Sequence, residues 1–97
     1  MLRRYRNCIG PRVRELRMKK GLTQEQLAAR LQLSGLHSLD RVAVAKIESQ
    51  LRSVFDYELA MIARELGADP EKFIPTPRAL KLDLDNLISG KRDVSES

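Results

Sequence analysis

Apolar residues recur along most of this chain at helical spacing, in short runs separated by polar breaks. Ile9, Val13 and Leu16 form one stripe and predict a helix over residues 11–20. Pro11 suits the first helical position, where its missing N–H has no partner to lose. Gly21 suits the stop, because it adopts positive φ at no steric cost. Thr23 is a good N-cap for a second helix over residues 24–32, and Gln26, three residues on, completes a capping box. Leu27, Ala28 and Leu31 give that helix its inward face, with Ala28 small enough for close approach of a neighbour. Ser34-Gly35 breaks the pattern. Leu33, Leu36 and Leu39 then recur every third residue and are expected to anchor the connection to the body. Asp40 caps a third helix over residues 41–50, with Val44, Ile47 and Leu51 turned inward. Asp56 is expected to cap a fourth over residues 57–66, burying Leu59, Ile62, Ala63 and Leu66 and stopping at Gly67. Asp69-Pro70 opens a short fifth helix through Phe73-Ile74, whose apolar pair closes the bundle.

Beyond Pro75 two patterns compete. Leu80, Leu84, Leu87 and Ile88 suit a helix capped by Thr76-Pro77 and stopped at Gly90, whereas LKLDL alternates as a strand does. The helix is the favoured reading. Its leucines exceed what a solvated tail needs, so it is expected to pack on its own domain or on a second subunit. The domain organisation expected is a basic N-terminal arm (1–8, with Arg3, Arg4 and Arg6), a body (9–75) and a C-terminal extension (76–97) ending in the disordered run KRDVSES.

Composition narrows the class. With 97 residues, no Trp and few aromatics, the core must come from Leu, Ile, Val, Ala and Met, which favours an all-α domain. No apolar run approaches the roughly 18 residues of a membrane span, and no secretory leader is visible. The single Cys8 rules out an internal disulfide and fits a reducing cytoplasm. The net charge of +5 is unevenly held: residues 1–52 carry 12 Lys/Arg against 4 Asp/Glu, and residues 53–97 carry 6 against 9. A basic half beside a mildly acidic one is expected when one face meets phosphate.

Two short helices crossing steeply, the second capped and exposed, make the unit that sets a helix in the DNA major groove. The run IGPRVRELRMKKGLTQEQLAARL, with AKIE and DYELAMIARELGA after it, resembles the lambda repressor and Cro (XRE-type) family of helix-turn-helix regulators. The likeness covers residues 9–74. It implies a five-helix, all-α domain that binds duplex DNA as a homodimer and regulates transcription. One departure stands out: the family joins its second and third helices by about four residues, and this chain uses more.

The family pattern places Arg41, Val42 and Lys46 at the base-facing positions of the third helix, with Ala43 beside them. Arg41 suits guanine O6 and N7, Lys46 a guanine or a phosphate, and Val42 and Ala43 thymine methyls. For Val42, core packing is an equal alternative. Thr23, Gln24, Arg52 and Ser53 fall at phosphate-contacting positions. Arg17 and Glu48 match a family ion pair that ties the first helix to the third.

Nothing else in the chain suggests chemistry. One His, one Cys, no phosphate-binding glycine loop and no paired acids in a fixed setting leave no enzymatic reading, no metal site and no cofactor. His37 stands alone, and Asp83 and Asp85 read as solvated. The rival reading keeps the fold but makes it a protein-interaction module for a regulator or a toxin, with only charge-driven affinity for nucleic acid.

Overall fold

A computed structural model of the chain describes residues 4–90. Its elements are α1 (Gly10–Lys19), α2 (Gln24–Leu33), α3 (Arg41–Glu48), α4 (Asp56–Leu66), a 3-10 turn (Pro70–Phe73) and α5 (Pro77–Ser89), with no strand among the described residues. The fold is therefore the all-α, lambda repressor-like arrangement the sequence suggests. The fifth segment of the body tightens into a 3-10 turn rather than an α-helix.

Local chemistry sets most of the boundaries. Thr23 Oγ1 accepts the Gln26 N–H at 3.0 Å while Gln26 Oε1 accepts the Thr23 N–H at 2.9 Å, a complete capping box. Asp40 Oδ1 accepts the Ala43 N–H at 2.9 Å and starts α3. The start of α4 differs from expectation. Phe55, not Asp56, is the N-cap, and the satisfied donor is its backbone N–H, which Glu58 Oε1 accepts at 3.0 Å. Gly67 ends α4 at φ 69°. Thr76 Oγ1 accepts the Ala79 N–H and Gly90 closes α5 at φ 76°, so the LKLDL alternation lies on a helix.

The core is one cluster: Ile9 just ahead of α1 and Val13 within it, Leu27, Ala28 and Leu31 of α2, Ala43, Val44 and Ile47 of α3, Ile62, Ala63 and Leu66 of α4, with Leu39 and Phe73. Three hydrophobic positions depart from the sequence pattern. Leu33 is 90% exposed, so only Leu39, fully buried, and Leu36, partly buried, anchor the long connection. Backbone bonds from Leu36 to Leu31 and from Leu39 to Leu36 hold it, with Ser34 Oγ donating to Glu65 of α4. Ile74 lies half outside, leaving Phe73 alone to close the bundle. Leu51 is 48% exposed because α3 stops at Glu48, two residues short of the expected end.

The stop at Glu48 has a clear cause. Gln50 sits at φ 65° without being glycine, its N–H donates to Ile47 O, and the Leu51 N–H donates to Lys46 O. That is a Schellman ending. The strain of a non-glycine residue there is offset by the Gln50 side chain, whose Nε2 donates to Asn7 O at 2.9 Å.

Residues 5–8 are not the loose arm expected. The Tyr5 N–H donates to Leu87 O and the Arg6 N–H to Gln50 O, both at 2.9 Å. Asn7 Oδ1 accepts the Ile9 and Gly10 N–H groups at the start of α1, while its Nδ2 donates to Ile47 O and Arg52 O. One amide thus caps the start of α1 and the end of α3. Arg4 and Arg6 remain exposed, and Arg3 lies outside the described residues.

Candidate nucleic-acid interface

Helix α3 has two faces. Val44 and Ile47 face the core, and Glu48 is 7% exposed. Arg41, Val42 and Lys46 face outward. Neither Arg41 nor Lys46 has a side-chain hydrogen bond or ion pair among the described residues. Arg41 moreover occupies the first helical position, where the helix dipole disfavours a cation by about 0.3–1 kcal/mol. Ala43 leaves the base-facing set: it is only 9% exposed and packs in the core, because it falls one residue past the outward edge of the helix.

The position of α3 is set by a buried network. Arg17 of α1 donates Nε to Glu48 Oε2 at 2.6 Å and Nη2 to Oε1 at 3.1 Å, and its Nη1 donates to Leu22 O. Gln24 at the start of α2 donates Nε2 to the same Glu48 Oε1 at 3.0 Å. Three helices thus meet on one carboxylate. The Gln24 amide nitrogen spends one of its two N–H groups there, which leaves the second to donate outward. Thr23 is exposed, and its hydroxyl, already an acceptor from Gln26, keeps a proton to donate outward.

A second pair governs the turn after α3. Arg52 Nη1 and Nη2 donate to Glu58 Oε1 and Oε2 at 3.0 and 3.1 Å, and Nη1 also reaches Ser53 O. Both terminal nitrogens of Arg52 are therefore committed to its own chain. Three of its five N–H donors hold this turn and fasten it to α4. Ser53 is exposed. The sequence reading missed the pairing, though the six-residue spacing across a capped helix start is a signal that finds it.

Burial pushes the Glu58 carboxyl up, but the Arg52 guanidinium and the Phe55 N–H outweigh it and hold the group below the ordinary carboxylate range. A lowered folded pKa means that the unfolded chain binds the proton more tightly. The stabilisation is therefore complete above the unfolded value of about 4.3 and lost as pH falls through the lower folded value. Thermal midpoints measured across this acid range should drop more steeply for the native chain than for Glu58→Gln. Parallel curves would refute the assignment.

Cys8 is half-buried, and that burial pushes its thiol above the ordinary value despite an opposing backbone N–H, with the Asp83 charge adding to the rise. The rise favours the protonated thiol at neutral pH. No group of three or more His, Cys, Asp or Glu side chains able to hold a metal ion occurs among the described residues. No helix among them is long and apolar enough to cross a membrane.

Residues 13–73 match the family profile described as helix-turn-helix. Among solved structures, the restriction-modification controller protein C.AhdI from Aeromonas hydrophila is 35% identical with a TM-score of 0.59, over 68% of this chain and 87% of that one. A hypothetical transcription factor, NHTF, from Neisseria is 26% identical with a TM-score of 0.62, over 80% and 84%. The DNA-binding domain of BldD, at 24% identity and a TM-score of 0.60 over 73% and 94%, shares the fold. No curated protein matches the sequence significantly.

Proposed function

We propose, from the premise that this chain belongs to the XRE-type helix-turn-helix family, that it is a DNA-binding transcription regulator whose α3 reads the major groove of a specific duplex site. The observation that carries the proposal is the outward face of α3: two unpartnered cations, Arg41 and Lys46, flank Val42 on a helix whose other face is locked into the core. Phosphate attraction supplies affinity without sequence information, and base edges supply the discrimination. Arg41 is the base reader, suited to bidentate contact with guanine. Lys46 reaches a second guanine or a phosphate, and Val42 a thymine methyl. Thr23, Ser53 and the second Nε2–H of Gln24 donate to the DNA backbone, with Arg52 holding the turn.

The assembly proposed is a homodimer. Leu84 and Ile88, one turn apart on α5, are 42% and 54% exposed and form an apolar pair on one face of the helix for a second copy to cover. A two-fold pairing through this helix sets the two α3 helices to meet successive major grooves about 34 Å apart.

Selection from a randomised duplex library at physiological salt tests the proposal. A recurrent symmetric motif is expected. Arg41→Ala should flatten the preference at one base pair, equivalent to about 1–3 kcal/mol, and Lys46→Ala should lower the log–log salt slope by about 0.9 if it meets a phosphate. Binding that ignores sequence would sink the regulator reading. It would favour the protein-interaction module instead, a reading supported by the exposed Phe55 and Tyr57 rings, which stack at 5.4 Å beside the α3–α4 turn.

A further inference from the structure

Beside α3 lies a notch lined by Asp40, Val42, Ala43, Lys46, Leu51 and Arg52. We propose that this notch is a methyl-reading site, which takes the C5-methyl group of a major-groove pyrimidine against Val42 and Leu51. The inference rests on the duplex-binding reading above and adds to it a specificity-determining residue, Leu51, that lies outside the recognition helix.

Three observations converge on that occupant. Leu51 is placed rigidly: the left-handed Gln50 turns the chain back, and the Leu51 N–H is bonded to Lys46 O at 2.8 Å. It is 48% exposed and Val42 is 49% exposed, so the notch has two apolar walls open to solvent on the outward side of α3. Finally, the Asp40 carboxylate caps α3 through Oδ1 and Arg52 is bonded to Glu58, which leaves the Lys46 ammonium as the unpaired cation at the rim.

A notch with two apolar walls, Val42 and Leu51, and an unpaired cation at its edge matches a pyrimidine edge in the major groove, where a methyl carbon sits within reach of the anionic backbone. An apolar protein partner would leave the Lys46 ammonium facing its surface without an anion. Of the four bases only thymine carries the C5 methyl, and 5-methylcytosine presents the same group, so the notch recognises the methyl rather than either base as such.

The test uses the full chain and the duplex recovered by selection. Thymines are replaced by uracil one position at a time, and cytosines by 5-methylcytosine, in competition binding. Burial of one methyl is worth about a fourfold change in affinity. At least one position should lose about that factor with uracil. A methylated cytosine placed there, with guanine opposite, should outbind unmethylated cytosine by a similar factor. Leu51→Ala, a substitution at a half-exposed site, should erase both differences and keep the salt slope unchanged.

Uracil tolerated at every position by the native chain overturns the inference and leaves the regulator reading standing. So does methyl discrimination that survives in Leu51→Ala. A Leu51→Ala protein that changes its sedimentation state yet still discriminates methyls would show that a second copy covers the notch, which also overturns it. Recovery of no preferred duplex removes the regulator reading and the inference together.

Discussion

Gly10→Ala should destabilise the domain by about 3 kcal/mol, the upper end of the usual cost of forcing extra volume into a packed contact. Helix propensity alone predicts the opposite sign, since alanine is about 1 kcal/mol better than glycine inside a helix. The structure decides between them. A methyl group on Gly10 would overlap the Ile47 carbonyl oxygen and lie 2.9 Å from the Glu48 carbonyl oxygen. Both are backbone atoms at the end of α3, so no side chain can swing aside. The first turn of α1 would have to withdraw, stretching the Asn7 bonds that bridge the two helices. For a domain of this size the loss corresponds to a fall of roughly 12–24 °C in the melting midpoint. A midpoint that stays level or rises would show that α1 and α3 do not touch at this point.

Glu48→Ala is the second large effect. It strips Arg17 of its bidentate partner and leaves that arginine, 8% exposed, with only the Leu22 carbonyl. It also releases the Gln24 amide. Breaking a buried pair on one side costs about 3–5 kcal/mol, because the surviving charge stays desolvated. Urea unfolding of Glu48→Ala, Arg17→Met and the double variant would measure it. The double variant should be far less destabilised than the sum of the singles, since it leaves no uncompensated charge. Strict additivity would mean that the two side chains do not interact. The pair also bears on function: a single carboxylate fixes the mutual positions of α1, α2 and α3, so its loss disturbs the base-facing helix even where the domain remains folded.

These two residues show how differently structure is written in a chain. Hydrogen bonds spanning three or four residues depend on residue type and spacing alone. The capping box of Thr23 and Gln26, the Asp40 cap, the Thr76 start of α5 and the glycine stops at 67 and 90 were therefore legible in order. The repeat of Leu27, Ala28 and Leu31 was legible for the same reason, since a 3.6-residue period is a local property. The Arg17–Glu48 pair was suggested only by family resemblance, because no periodicity links positions 31 residues apart.

Local pattern could not say which side of a marginal position faces the core. Leu33 and Leu39 look equivalent in a three-residue repeat, yet one is 90% exposed and the other fully buried, since only Leu39 joins the core cluster. Ala43 and Val42 are neighbours with similar apolar character, and a rotation of one helical step separates core from open face. Leu51 was read inward by extending α3, and the Schellman turn at Gln50 moved it out to the notch. Asn7 fell within the expected loose arm, and its bonds to Ile47 and Arg52 exist only because the fold brings residues 40 and 45 positions away to its amide. The sequence by itself determined most helix starts, the glycine stops and the centre of each buried stripe, because those follow from bonds and periods within a turn. The tertiary structure alone decided how the helices cross, and hence which cations stay unpaired, because burial and partnership at the edges of a stripe depend on what another part of the chain places there.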